Sequence, residues 1–191
     1  MRTLILLSAI RFFIIPSIQA QTKGTFEDPR DGKVYKTIRI GSQLWFAENL
    51  AYVSENGCWA YNNDENHVVK YGRLYTYETA LKACPAGWHL PSKEEFESLV
   101  RYAGNSGIHA YNELIPTGTT GFKGVFGGFY STSFQHIGKI GYYWSSTEIN
   151  SGSAYYFGIT SFIPEAGICI VDRARNSKNK KWGFSVRCIK D

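Results

Sequence analysis

The chain is short of charge, and it has no repeat. Only 19% of its 191 residues are charged against 43% hydrophobic, a balance too apolar for a disordered chain. No period recurs along it, which excludes solenoids and propellers. No two of its four cysteines stand as CxxC, so zinc-ribbon and thioredoxin-like readings have no support. His67, His89, His109 and His136 form neither HExxH nor any i, i+4 pair, and no metal site is expected from them. No serine sits in GxSxG. Gly127-Gly128 lacks the strand and helix that a phosphate loop needs. Beyond residue 20 no stretch is long and apolar enough to span a membrane.

What is present is aromatic and glycine-rich: 13 Tyr, 12 Phe, 5 Trp and 19 Gly. That mixture favours short strands and tight turns over a helix bundle, and the length suits one domain with a sizeable core. Residues 1–20 read as a signal peptide. Arg2 is the basic start, Leu4 to Ile15 is almost wholly apolar and is interrupted by Arg11, and Pro16 to Ala20 is the cleavage region. An uncleaved anchor is the competing reading, disfavoured by the short, interrupted stretch. No cysteine precedes Cys58, so a lipoprotein cut is excluded. Cleavage removes Arg2 and Arg11 and no acid, taking the net charge from +5 to +3. The one basic run, Arg173, Arg175, Lys178, Lys180 and Lys181, is interleaved with Asn and Ser. It reads as a solvated hairpin tip, and no nucleic-acid partner is expected.

Along the mature chain, residues 21–27 read as a loose leader and 28–191 as a single domain. Val34 to Ile40 is rich in β-formers, and Gly41-Ser42 suits a type II′ turn into Gln43–Phe46. Residues 51–70 look loop-like. Thr76 to Cys84 is helical in propensity and is stopped by Pro85. Ser92 and Glu95 form a capping box, followed by an apolar face of Phe96, Leu99, Val100 and Ala103 that ends at Gly104. Gly87-Trp88-His89-Leu90 links the two helices, with His89 expected as a structural core residue. Residues 142–147, 154–159, 168–171 and 183–189 are strand candidates. In the last, Phe184, Val186 and Cys188 alternate with Ser185 and Arg187. The pattern is α+β with small antiparallel sheets.

Several blocks carry a resemblance. Asp31-Gly-Lys-Val-Tyr-Lys-Thr-Ile-Arg-Ile-Gly-Ser-Gln-Leu-Trp-Phe-Ala-Glu-Asn-Leu50 is the first, followed by Tyr71-Gly-Arg-Leu-Tyr75 and Ala83-Cys-Pro-Ala-Gly-Trp-His-Leu-Pro-Ser92. Tyr143-Trp-Ser-Ser-Thr-Glu148 and Gly183-Phe-Ser-Val-Arg-Cys-Ile-Lys-Asp191 complete the set. In this order they resemble the Fibrobacter succinogenes major paralogous domain family, found in exported bacterial proteins. That family in turn resembles the C-type lectin-like fold: two helices packed on small antiparallel sheets with a long Gly/aromatic-rich loop region. The resemblance implies a Cys84–Cys188 bond, worth about 4–5 kcal/mol in the chain-entropy account. The family's usual partner for Cys58 is missing between Glu65 and Tyr71, which leaves Cys169 as the remaining candidate for it. The sugar-binding triplets of calcium-dependent lectins are absent. Asn62 to Asn66 lacks the Gly and closing Glu of an EF-hand loop. Neither a metal nor a cofactor is expected.

The function expected is binding rather than catalysis, by a secreted, periplasmic or cell-surface module whose partner is a glycan or a surface protein. Candidate ligand-binding residues are Phe129, Tyr130 and Phe134, from the loop between Gly104 and Gly141, with Arg173, Arg175 and Lys178 from the basic run. Tyr111, Phe122 and Phe126 lie in the same loop. The plainer reading of each loop aromatic is core filling. The alternatives are an enzyme on a fold like that of formylglycine-generating oxidases, which an unpaired Cys169 would favour, and a passive envelope component.

Overall fold

Strand β1 (Lys23–Glu27) runs antiparallel to β2 (Val34–Ile40), with Lys23 opposite Ile38 and Glu27 opposite Val34. In the computed structural model the described residues are 22–105, 107–171 and 179–191. The expectation of a loose leader over 21–27 is therefore corrected from residue 23 onward. Phe26 is the only large apolar side chain there, so the sequence shows no strand pattern. The ladder to β2 and the packing of Phe26 on Phe46 and Trp88 at 5.8 and 5.3 Å hold the segment.

A two-residue turn joins β2 to β3 (Gln43–Phe46), and Gly41 takes φ 59°, as a II′ turn requires at its first position. There follow β4 (Cys58–Trp59), two short 3₁₀ turns at Tyr61–Asn63 and Glu65–His67, helix α1 (Val68–Tyr71), and β5 (Leu74–Tyr75). Helix α2 (Tyr77–Ala83) is capped by Thr76 and stops before Pro85. After β6 (Trp88–His89) comes α3 (Lys93–Tyr102). Its capping box is complete: the Ser92 hydroxyl accepts from Glu95 N, and the Glu95 carboxylate accepts from Ser92 N at 2.7 Å.

Helix α4 (Gly107–Leu114) lies inside the stretch read as loop, and Ala110 and Leu114 form its buried edge. Beyond it lie β7 (Phe129–Tyr130), β8 (Phe134–Gln135), β9 (Ile140–Asn150), β10 (Ser153–Thr160), β11 (Glu165–Val171), β12 (Phe184–Ser185) and β13 (Ile189–Lys190). One sheet has the order β1-β2-β3-β13-β6 and a second the order β11-β10-β9-β12-β5-β4. The pair β7-β8 stands apart. Among the described residues no helix is long and apolar enough to cross a membrane.

The two faces of β9 and β10 bury different side chains, as a period of two demands. Trp144 and Ala154 enter a core shared with Phe46, Tyr75, Trp88, Phe184 and Cys188. Tyr143, Phe157 and Ile159 enter a second core with Trp45, Phe122, Phe96 and Leu99, closed by α3 and α4. The Cys84–Cys188 disulfide is formed, with Cα atoms 5.8 Å apart across 104 residues of sequence. It fastens the end of α2 to the segment between β12 and β13.

The last strand candidate divides in two. Phe184–Ser185 belongs to the six-stranded sheet and Ile189–Lys190 to the five-stranded one. The crossing residues meet a core on both sides, so Ser185 and Arg187 are buried along with Phe184, Val186 and Cys188. His89 is a second correction, since it is half-exposed rather than part of the core. Its Nδ1 lies 2.7 Å from Asp191 Oδ1 and its Nε2 3.0 Å from Glu95 Oε1. The reason is positional: along Trp88–His89 one side chain faces the core and the next faces out, beside the capping carboxylate of α3.

Candidate functional site

The three loop aromatics singled out in the sequence part company. Phe129 is 8% exposed and packs against Tyr142, Trp182 and Phe184. It fills the core, which corrects its place among the ligand-binding candidates. Phe122 is likewise buried, under Trp45 and Tyr143. Tyr130 and Phe134 are half-exposed on the β7-β8 hairpin, with ring centroids 5.0 Å apart.

These two rings are met by side chains from 59–71, all but the last within the 51–70 stretch read as loop. Trp59 stacks on Tyr130 at 4.6 Å, and Tyr61 meets Phe134 at 5.3 Å. His67 stands edge-on to Tyr61 at 5.6 Å and reaches Tyr71 at 6.2 Å. Tyr61 is buried beneath, while Trp59, His67, Tyr71, Tyr130 and Phe134 remain half-exposed. The sequence shows the residues but not the partnership, which exists only once β4 and the β7-β8 hairpin come together in space.

Two glycines make that approach possible. Gly128 has φ 68°, and a Cβ there would fall 2.4 Å from Gln135 O and 2.7 Å from Tyr61 Cε2. A Cβ on Gly183 would lie 3.1 Å from both Trp59 Cε3 and Tyr130 Cβ. Side chains at either position would push the hairpin off the platform.

The rim of the face is polar. Asn62 and Asn63 are exposed in the left-handed region, at φ 55° and 57°. Asp64 Oδ1 accepts from Asn66 N at 2.9 Å and from Asn66 Nδ2 at 2.8 Å. His67 Nδ1 bonds Tyr61 O at 3.0 Å, and buried Arg73 donates to Ala51 O at 3.1 Å and to Glu65 at 2.5 Å. The segment read as loop is thus anchored through its own polar groups. Among the described residues no group of three or more His, Cys, Asp or Glu is placed to hold a metal ion.

The unbonded cysteines correct another expectation. Cys58 lies on β4 and Cys169 on β11, the two outer strands of one six-stranded sheet. Five strand spacings separate them, roughly 24 Å, whereas a disulfide needs Cα atoms within about 7 Å. Burial pushes the Cys58 thiol up. Burial also raises Cys169, and a hydrogen bond from the Tyr156 hydroxyl only partly offsets it. Neither is a poised thiolate, and the two do not converge on one centre.

Arg173, Arg175 and Lys178 lie outside the described residues. Of the same run, Lys180 is tied down: its Nζ donates to Glu148 at 2.6 Å and sits 4.7 Å from the centre of the Tyr77 ring.

No curated protein and no solved structure matches the chain. Residues 38–190, well over half of the sequence, match the model of the family described as the Fibrobacter succinogenes major domain, and the chain belongs to that family.

Proposed function

We propose that the chain is an exported, non-catalytic binding module of the bacterial envelope or extracellular space. Its partner, a glycan or a surface protein, meets the aromatic face of Trp59, Tyr130, Phe134 and His67. One observation carries the reading: two separate segments bring half-exposed rings together into one patch, backed by buried Tyr61 and rimmed by Asn62, Asn63 and Asn66. Rigid rings give contact area at small entropic cost, and amides at the edge add adaptable hydrogen bonds. The high-lying thiols favour binding over thiol chemistry. Export is supported by the character of residues 1–20 and by the disulfide, which an oxidising compartment preserves. The fold reading that accompanies it is C-type lectin-like. Its support is the order of α2, Cys84, the Gly-Trp-His-Leu link and capped α3, with Cys84 bonded to Cys188 near the last strand.

The test is a glycan array together with capture from an envelope fraction, comparing the mature chain with a Trp59→Ala/Phe134→Ala variant. Binding should fall at least tenfold in the variant while it still unfolds in one cooperative transition. Equal binding by both proteins rejects the aromatic face. Mass spectrometry of the exported protein should find Gln21 at the N-terminus, and intact Met1 on cytosolic protein rejects export.

A further inference from the structure

A cleft of about 570 Å³ opens between the end of α3 and the face of α4, and it shares no residue with the aromatic face. The volume lies in the range of small-molecule sites. His109, Asn112 and Glu113 line it from α4 at i, i+3 and i+4, the spacing that puts side chains on one helix face. Gly104, at φ 106°, lets the chain turn sharply after α3. A Cβ there would come within 3.3 Å of His109 Cβ.

Two of the lining groups are held in place. Glu113 Oε2 accepts from Thr119 N at 3.1 Å and from Thr119 Oγ1 at 2.5 Å. These bonds, the hydroxyl first, hold the carboxyl below the usual range, so it is ionised at neutral pH. Tyr102 is 51% exposed, and its ring rests against the β2-β3 turn, where a Cβ on Gly41 would come within 3.4 Å of it. It is an aromatic surface supported from behind. By contrast, no hydrogen bond to another described residue occupies the Tyr102 phenol, the His109 imidazole or the Asn112 amide.

We infer that this cleft binds an uncharged pyranoside, free or as the end of a glycan. The supported Tyr102 ring suits the apolar C–H face of a sugar. The fixed Glu113 carboxylate accepts ligand hydroxyls in charge-assisted bonds, and Asn112 and His109 supply mixed donors and acceptors. Among the described residues no Lys or Arg lines the cleft, and against these an anionic ligand would meet the Glu113 charge uncompensated. This inference stands whether or not the aromatic face binds.

The test is titration of the isotope-labelled mature chain with the methyl glycosides of glucose, galactose, mannose and N-acetylglucosamine, followed through backbone amide shifts. At least one should produce saturable shifts centred on Asn112, Glu113 and Thr119. Asn112→Ala, which leaves the Thr119 bonds intact, and Tyr102→Ala should each weaken that sugar about tenfold. Trp59→Ala should leave the titration unchanged, which separates this site from the aromatic face. No saturable shift with any of the four sugars overturns the inference. So do shifts centred elsewhere, or a sulfated form that binds more tightly than its parent sugar.

Discussion

Arg187 and Asn49 meet deep in the molecule, where Asn49 Oδ1 accepts from both Arg187 Nη2 at 2.6 Å and Arg187 Nε at 3.1 Å. The guanidinium is wholly buried and also donates to the carbonyls of Phe46, Phe122 and Lys123. Every one of these acceptors is neutral. The Phe122 and Tyr143 rings lie 4.5 and 5.7 Å from its centre. Burial pushes its pKa down, yet a guanidinium starts so high that the charge is kept. A single side chain thereby ties the β12–β13 crossing to the end of β3 and to the 122–123 segment.

Replacing Arg187 strands several buried acceptors at once. Arg187→Met should cost roughly 3 kcal/mol or more, since each unsatisfied group costs about 1–3 kcal/mol. Arg187→Lys should recover less than half, because one ammonium cannot span the set that a planar fork reaches. Urea unfolding midpoints at unchanged slope are the readout. A lysine variant as stable as the wild type would show that the charge alone matters and not the fork.

His89 sets a pH dependence. Both of its ring nitrogens face carboxylates, which only accept, so only the doubly protonated ring satisfies Asp191 and Glu95 together. Burial opposes the charged form, and the bonds to Asp191 and Glu95 outweigh it, so the folded pKa is raised above 6.5. The stabilisation is therefore complete below the unfolded value and is lost as pH rises through the folded one. Melting temperatures of wild type and His89→Ala should differ most near about pH 5 and converge by about pH 8. A difference that is flat across that range removes the ionic role. The side chain is too exposed for the effect to be large.

Elements whose partners lie nearby in sequence were readable, and those that depend on distant partners were not. The β2-β3 hairpin, the capping box at Ser92 and the break at Pro85 are local chemistry, and the structure holds each of them. Strand β1 has one apolar side chain and gains its form from β2. Helix α4 sits among glycines, with only Ala110 and Leu114 buried. Arg187 alternates with apolar residues as an exposed strand position would, and nothing nearby in the sequence reveals the second core that covers it. The candidate site was half legible. Tyr130 and Phe134 stood out by composition, whereas Trp59, Tyr61 and His67 join them only through sheet topology.

The cysteine pattern separates one structural bond from two spectators. Peptide mapping without reduction should recover Cys84 linked to Cys188, with Cys58 and Cys169 alkylated once the protein is unfolded. Cys84→Ser should cost about 4–5 kcal/mol, the chain-entropy value for a loop of this length. Cys58→Ser and Cys169→Ser should each cost about 1–2 kcal/mol from packing alone. A Cys58–Cys169 crosslink in native protein would contradict their places on opposite sheet edges.

The strongest discrimination lies between neighbours on one hairpin. Phe129 and Phe134 are five residues apart, yet one is core and the other is half-exposed on the aromatic face. Phe129→Ala should cost about 3–5 kcal/mol, as deletion of a buried ring does. If its fold survives, that variant should keep its affinity. Phe134→Ala should cost only about 1 kcal/mol and lose binding instead. Gly128→Ala probes the same platform through the backbone. At φ 68° its new Cβ would lie 2.4 Å from Gln135 O, so β8 must lift away from Tyr61 and take Phe134 with it. Its binding loss should match that of Phe134→Ala, with a larger stability cost added by the strained backbone. Thermal melts paired with affinity measurements on the three variants decide the matter. If stability and affinity fall together in all three, binding simply tracks folding, and the aromatic face has no role of its own.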